Sequence, residues 1–190
     1  MDRISLCIMT RELCQQLYQG WENDPAIYMD MGLFSPYRYD KDEVDRYFDA
    51  KQTPDRVLFA ILKDGVPVGE LHLKRIDRRK KECTLSIHMQ NDGVKGRGYG
   101  TQAERLALRY AFNVLCMEVV NADTVRKNTR SQHILEKLGF QHIRDEGEFR
   151  YYRYQRGSER TPGPAAPAFC CVNHTSMITG SIIGFRFVFL

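Results

Sequence analysis

The apolar residues of this chain keep two spacings in turn, the two-residue period of strands and the three-to-four-residue period of helices. Residues 4–9 read as a strand, and Thr10 then caps a short helix with Leu13, Leu17 and Tyr18 on one side. Trp21-Glu22-Asn23-Asp24-Pro25 ends it. Residues 29–39 carry no period; Phe34, Pro36, Tyr37 and Tyr39 form an aromatic loop that either walls a substrate pocket or packs on the core. Asp40-x-x-Glu43 has the form of a capping box before a helix that buries Val44, Tyr47 and Phe48.

Residues 57–62 and 68–76 read as strands joined through Asp64-Gly65, a pair suited to a tight hairpin. Pro67 and Gly69 predict an edge or a bulge at the start of the second. A charged tip, Arg78-Arg79-Lys80-Lys81, returns the chain into residues 83–89, where Leu85, Ile87 and Met89 alternate with Thr84, Ser86 and His88. Three antiparallel strands therefore precede a polar turn at 90–95. Next comes a helix with Ala103, Leu106, Ala107, Tyr110, Ala111 and Val114 at helical spacing.

Residues 117–125 form the following strand, parallel to 83–89 because a helix crosses between them. Asn128 or Thr129 caps a helix that turns Ile134, Leu135 and Leu138 inward, and Gly139 stops it in a left-handed conformation. Residues 140–145 and 149–155 make a last hairpin around Glu146-Gly147. Beyond that the composition shifts: 157–168 is rich in Gly, Pro and Ala, and 178–190 is apolar with one Arg. The division expected is a domain at 1–156 and a linker with a hydrophobic tail at 157–190. That tail is either an appended segment or a strand that packs on a neighbouring molecule.

Between strand and helix lies Lys95-Gly96-Arg97-Gly98-Tyr99-Gly100. The first turn of a helix has N–H groups without intrahelical partners and carries the positive end of the macrodipole. Glycines there let an anion approach the backbone, and Lys95 and Arg97 add charge, so the physical reading is a phosphate or pyrophosphate cradle. The plain alternative is a tight strand-to-helix turn that uses Gly for its positive φ. No P-loop string occurs, and a dinucleotide fingerprint is weakened because Thr101 stands at the third glycine and six residues separate strand from glycines.

The same string resembles the [Q/R]xxGx[G/A] signature of the GCN5-related N-acetyltransferases, with Lys95 in the first place. Downstream, Asn128-Thr129-Arg130-Ser131 and Glu136-Lys137-Leu138-Gly139-Phe140 resemble that family's second acyl-CoA segment, and the likeness, in its RimJ/RimL-like branch, covers residues 4–155. It implies an α/β (α+β) fold: a mixed, mostly antiparallel sheet with helices on both faces and a splayed parallel strand pair at an acyl-CoA slot. It also implies acetyl-CoA as co-substrate. The pantetheine arm would lie along Ile87, His88 and Met89, the pyrophosphate on Lys95, Gly96, Arg97, Gly98, Tyr99, Gly100 and Thr101, and Asn128 would face the arm.

The resemblance puts the helix start near Gly98, whereas Thr101-x-x-Glu104 by itself fits a capping box. Where several relatives carry a basic Glu on the cradle strand, this chain has Thr84, and where many carry an acidic Tyr before EKxGF it has Leu135. His88 is the candidate base, set against an ordinary strand histidine, with Glu70 and His72 as further candidates. Ser131 or water would serve as the acid. The expected reaction is direct acetyl transfer to a primary amine, a protein N-terminus or a small molecule. The competing readings are a non-catalytic acyl-CoA-binding or regulatory module, and a nucleotide-binding domain.

Composition narrows this only a little. At 190 residues and 43% hydrophobic the chain suits one domain with a full core, and a net charge of +4 fits an anionic cofactor but is too small to argue for nucleic acid. Six cysteines without CxxC, no signal peptide and no membrane-length apolar run predict a cytoplasmic protein, monomer or homodimer, with buried thiols. His and Cys are too scattered for a metal site.

Overall fold

A computed structural model describes residues 3–25, 28 and 30–157. The predicted tail lies outside these residues except for Gly157. The elements are β1 (Ile4–Ile8), α1 (Arg11–Gln19), α2 (Lys41–Lys51), β2 (Val57–Lys63), β3 (Val66–Asp77), β4 (Glu82–Met89), α3 (Tyr99–Asn113), β5 (Val119–Val125), α4 (Thr129–Leu138), β6 (Gln141–Glu146) and β7 (Phe149–Gln155). Single 3-10 turns occupy Met31–Leu33 and Asp92–Val94.

All seven strands form one sheet in the order β1-β2-β3-β4-β5-β7-β6. Only β4 and β5 run parallel, as expected from the helix between them. The Asp64-Gly65 turn works because both residues take positive φ, 49° and 88°, the geometry of a two-residue hairpin. The predicted irregularity near Pro67 appears as a register shift between Ile61 and Leu62 on the partner strand.

The two sheet faces are filled by different helices. Leu71 and Leu73 of β3 and Cys83 and Leu85 of β4 join a core with Ala103, Ala107 and Ala111 of α3 and Leu135 of α4. On the opposite face Leu58, Ala60 and Leu62 of β2 pack with Cys14 and Leu17 of α1 and Val44 of α2. Helices thus cover both faces. Strand alternation sends Glu70 and His72 of β3 and Thr84, Ser86 and His88 of β4 to the α1/α2 side.

Several local expectations change. Thr101 does not cap α3: the helix begins at Tyr99 with Gly98 as a left-handed cap at φ 80°, so Glu104 falls in the second turn and is buried. Of the aromatic loop only Tyr37 packs on a core cluster, Pro36 and Tyr39 are exposed, and none of its four named residues lines the cavity described below. Tyr37 lies 5.9 Å from Tyr18, Phe34 meets Tyr28 edge-on, and the Tyr39 hydroxyl donates to Gln15 Oε1 at 2.7 Å. In the last hairpin Tyr152 and Tyr154 are core residues, leaving Tyr151 half-buried. Cys7, Cys14 and Cys83 are buried as expected, and burial pushes the Cys14 and Cys83 thiols up to about 12, whereas Cys116 is exposed.

Candidate active site

The parallel pair supplies the opening. β4 and β5 are in register only from Glu82↔Val119 to Leu85↔Ala122. Past that point Ser86 to Met89 stay paired with β3, and Asp123 to Val125 stay paired with β7, but the two strands no longer pair with each other. Backbone groups on the facing edges are left for another partner. A cavity of about 410 Å³ lies there, lined by Ile87, His88 and Met89 of β4, Gly100 and Glu104 of α3, and Asn128, Ser131 and Ile134 of α4.

At its rim the glycine loop has the shape an anion needs. Gly96 and Gly98 take φ 74° and 80° and have open space where a Cβ would stand. No side chain caps the first turn of α3, whose N–H groups have no intrahelical acceptor. Gly96, Arg97 and Gly98 are exposed, and the Tyr99 side chain is buried, so Tyr99 can offer the site only its backbone. The Arg97 Nε donates to the Gly93 carbonyl at 3.0 Å, which folds the guanidinium back over the loop.

Lys95 is placed differently from the expectation. Its ammonium sits 2.7 Å from Asp24 Oδ2 and 2.8 Å from Asp92 Oδ1 and is only 12% exposed. Rather than offering a bare cation, it ties the cradle to the segment after α1. Asn128 caps α4, its Oδ1 accepting from the Ser131 amide at 3.1 Å, so its amide nitrogen is the end left for a ligand. Leu135, at the place of the relatives' Tyr, is 2% exposed in the core and offers nothing to the slot.

The same cavity continues to the α1/α2 face, where it meets a buried polar network. Glu70 is 2% exposed; its Oε1 accepts from the Tyr47 hydroxyl at 2.7 Å and lies 3.1 Å from His72 Nε2, and its Oε2 accepts from Tyr18 at 3.3 Å. On the other side of that ring, Arg56 Nη1 is 3.2 Å from His72 Nδ1. A guanidinium can only donate, so Nδ1 accepts and the Nε2 proton points at Glu70. Burial works to raise the Glu70 carboxyl, but the hydrogen bonds from His72 and Tyr47 outweigh it and hold the group below its ordinary value.

Across the ladder Glu70 stands opposite His88, whose imidazole is 6.5 Å from the Trp21 ring. Burial, more than the opposing pull of Glu70, shifts His88 down, which keeps the ring neutral near pH 7. His88, Ser131 and the predicted backbone of Ile87 to Met89 therefore meet in one cavity. Thr84 lies further down the strand, in the paired part. Tyr18, Trp21, Tyr47 and Arg56 also line the cavity, and the pattern of the sequence points to none of them. The one available signal was Glu70 and His72 alternating with leucines in an interior strand, which demands buried polar partners.

The fold and the loop define an α/β protein with an uncapped, glycine-led helix beside an opened sheet. More particularly, residues 3–141 match the acetyltransferase (GNAT) domain family, and the chain belongs to it. Spermidine N(1)-acetyltransferase of Escherichia coli strain K12 is 28% identical over 102 residues, 54% of this chain and 53% of that protein. The chain thus matches about half the length of the curated relative. Spermidine N-acetyltransferase from Vibrio cholerae, in complex with CoA and spermine, superposes with a TM-score of 0.66 at 16% identity over 82% of this chain and 96% of that one. A Campylobacter jejuni N-acetyltransferase in complex with acetyl coenzyme A gives 0.54 at 18% identity over 60% and 79%. At such identities the likeness is one of fold.

Proposed function

We propose that this protein moves an acetyl group from acetyl-CoA to a primary amine. The observation that carries the reading is the parting of β4 from β5 after Leu85, directly beside an uncapped, glycine-led helix. The backbone of Ile87, His88 and Met89 would hold the pantetheine arm, the loop Gly96 to Thr101 the pyrophosphate, and Asn128 would meet the arm from α4. Bound there, acetyl-CoA supplies an activated acyl carbon. The chain supplies orientation and proton handling: a ring nitrogen of His88 takes the proton from the incoming ammonium, and Glu70 opposite stabilises the charge that appears on the ring. His72 and Tyr47 position Glu70. The Ser131 hydroxyl, or water beside it, donates to the departing sulfur. A regulatory acyl-CoA module would have no use for an acid-base pair, Glu70 and His88, in the lining of the slot.

Two acceptor classes are distinguished by charge. The curated relative is a spermidine acetyltransferase, and Glu22 and Glu70 in the lining would suit an ammonium. Against this, Asp24 is engaged by Lys95, and three cations, Lys51, Arg56 and Lys74, line the same end. The buried Arg56 Nε has no hydrogen-bond partner among the described residues. That arrangement favours an amine with a carbonyl or anionic group nearby, such as a peptide N-terminus, over a bare polyamine, in keeping with a RimJ/RimL-like branch. Thiol release from acetyl-CoA, measured with spermidine, short peptides and free amino acids, tests it; turnover of spermidine alone would reverse the preference.

We infer a monomer or a homodimer, to be checked by sedimentation of the whole chain. Among the described residues no helix is long and apolar enough to cross a membrane, and no group of His, Cys, Asp or Glu is placed to hold a metal. A cytoplasmic location, where acetyl-CoA is available, fits the reaction proposed.

A further inference from the structure

Glu104 is the least expected side chain in the slot. It is 2% exposed, on the second turn of α3, with its Oε2 buried and lacking any hydrogen-bond partner among the described residues. A buried carboxyl oxygen without a partner costs stability, and costs more if the group is charged. Proteins keep such groups where a ligand completes them. Glu104 lines the cavity one helical turn beyond Gly100 and shares the lining with Ile87, Met89, Asn128 and Ile134, the stretch between the cradle and His88.

Its surroundings are apolar on the sheet side. β4 turns Leu85, Ile87 and Met89 toward α3, and β1 and β2 contribute Leu6, Phe59 and Ile61 to the same core. Glu70, His72, Lys74 and His88 belong to the alternate positions of β3 and β4, on the far face. From α4 the charged side chain lining the cavity is Arg130, and at the rim Lys95 is closed by Asp24 and Asp92. Burial pushes the Glu104 carboxyl up to about 8, so at neutral pH it is mostly a carboxylic acid, able to donate and accept at once.

We propose that Glu104 is a binding residue for the acyl donor, its carboxylic acid pairing with an amide of the pantetheine arm: O–H to the amide carbonyl, and the acid's own carbonyl from the amide N–H. The inference rests on the acyl-CoA reading of the slot. It assigns the arm a side-chain partner on α3 in addition to the strand backbone, and it makes the grip on the donor dependent on protonation.

The test is calorimetric titration of the whole chain with acetyl-CoA, which has no free thiol to titrate, between pH 7 and pH 9.5, on wild type, Glu104→Gln and Glu104→Met. Gln reproduces the donor and acceptor of the acid but not its ionisation. Wild type should bind at pH 7 and lose affinity toward ten-fold per pH unit above about 8, as the donor is lost and a carboxylate appears. Glu104→Gln should stay within about three-fold of wild type at pH 7 and lack that loss. Glu104→Met should bind about ten-fold more weakly at pH 7 while melting at the same temperature or higher, because an unpartnered polar group has gone. If all three proteins bind alike across the pH range, Glu104 does not touch the donor, though the slot remains one for acyl-CoA. If wild type does not bind acetyl-CoA at all, both readings fall.

Discussion

The Tyr47 hydroxyl donates to Glu70 Oε1 over 2.7 Å, joining α2 to the interior strand β3 beneath the acceptor end of the cavity. The bond is one of those that hold the Glu70 carboxyl below its ordinary value against burial. Tyr47→Phe keeps the ring and removes the donor. It should lower kcat about ten-fold and move the acid limb of the kcat/KM profile to higher pH, since Glu70 then protonates more readily. A purely structural Tyr47 would alter stability and leave the acid limb in place.

Linkage gives Glu70 a second signature. A carboxyl with a depressed folded value contributes stability that is present above its unfolded value, about 4.3, and is lost as pH falls through the folded one. Glu70→Gln should therefore be less stable than wild type at pH 7, and the two chemical-denaturation midpoints should converge as the pH is lowered into that range. A gap that widens on acidification would mean Glu70 is held above its ordinary value, not below.

Gly98 has φ 80° and nothing within 4 Å of where a Cβ would stand. Gly98→Asp accordingly costs backbone strain of about 1 kcal/mol and places a negative charge where the pyrophosphate should rest. Acetyl-CoA affinity should fall about 100-fold or more with the far-UV spectrum unchanged. Unaltered binding would mean the phosphates lie elsewhere.

Lys95 predicts a less obvious effect, because its charge is already matched by Asp24 and Asp92. In Lys95→Met those carboxylates are left unbalanced at the edge of the cradle. Donor affinity should drop about ten-fold at low ionic strength, and added salt should narrow the difference. An effect indifferent to salt would point to loop displacement instead.

How much of this could be read from the chain follows from the range of the forces involved. The glycine loop leading into a helix was legible because three glycines and a helical period are local facts, and the parallel pairing of β4 with β5 followed from the crossover helix, whereas the place of β7 beside β5 rests on long-range pairing that no local pattern carries. Glu104 was hidden by the same locality: Thr101-x-x-Glu104 has capping spacing, but Gly98 starts the helix earlier, which turns Glu104 from a cap into a buried side chain. Tyr18 and Tyr47 passed as apolar helix positions, since their hydroxyl partner on β3 lies 52 and 23 residues away. Periodicity assigns a side chain to a face; it does not say what charge waits there.

The central claim is that β4 and β5 part to admit an acyl donor next to a neutral His88, and amine-dependent thiol release from acetyl-CoA by wild type and His88→Ala tests it most directly. Wild type should release thiol in proportion to at least one primary amine, and His88→Ala should retain acetyl-CoA affinity while losing about 100-fold or more in kcat. Absence of amine-dependent release across peptides, amino acids and polyamines would contradict the transferase, and an undiminished His88→Ala would contradict the assigned base.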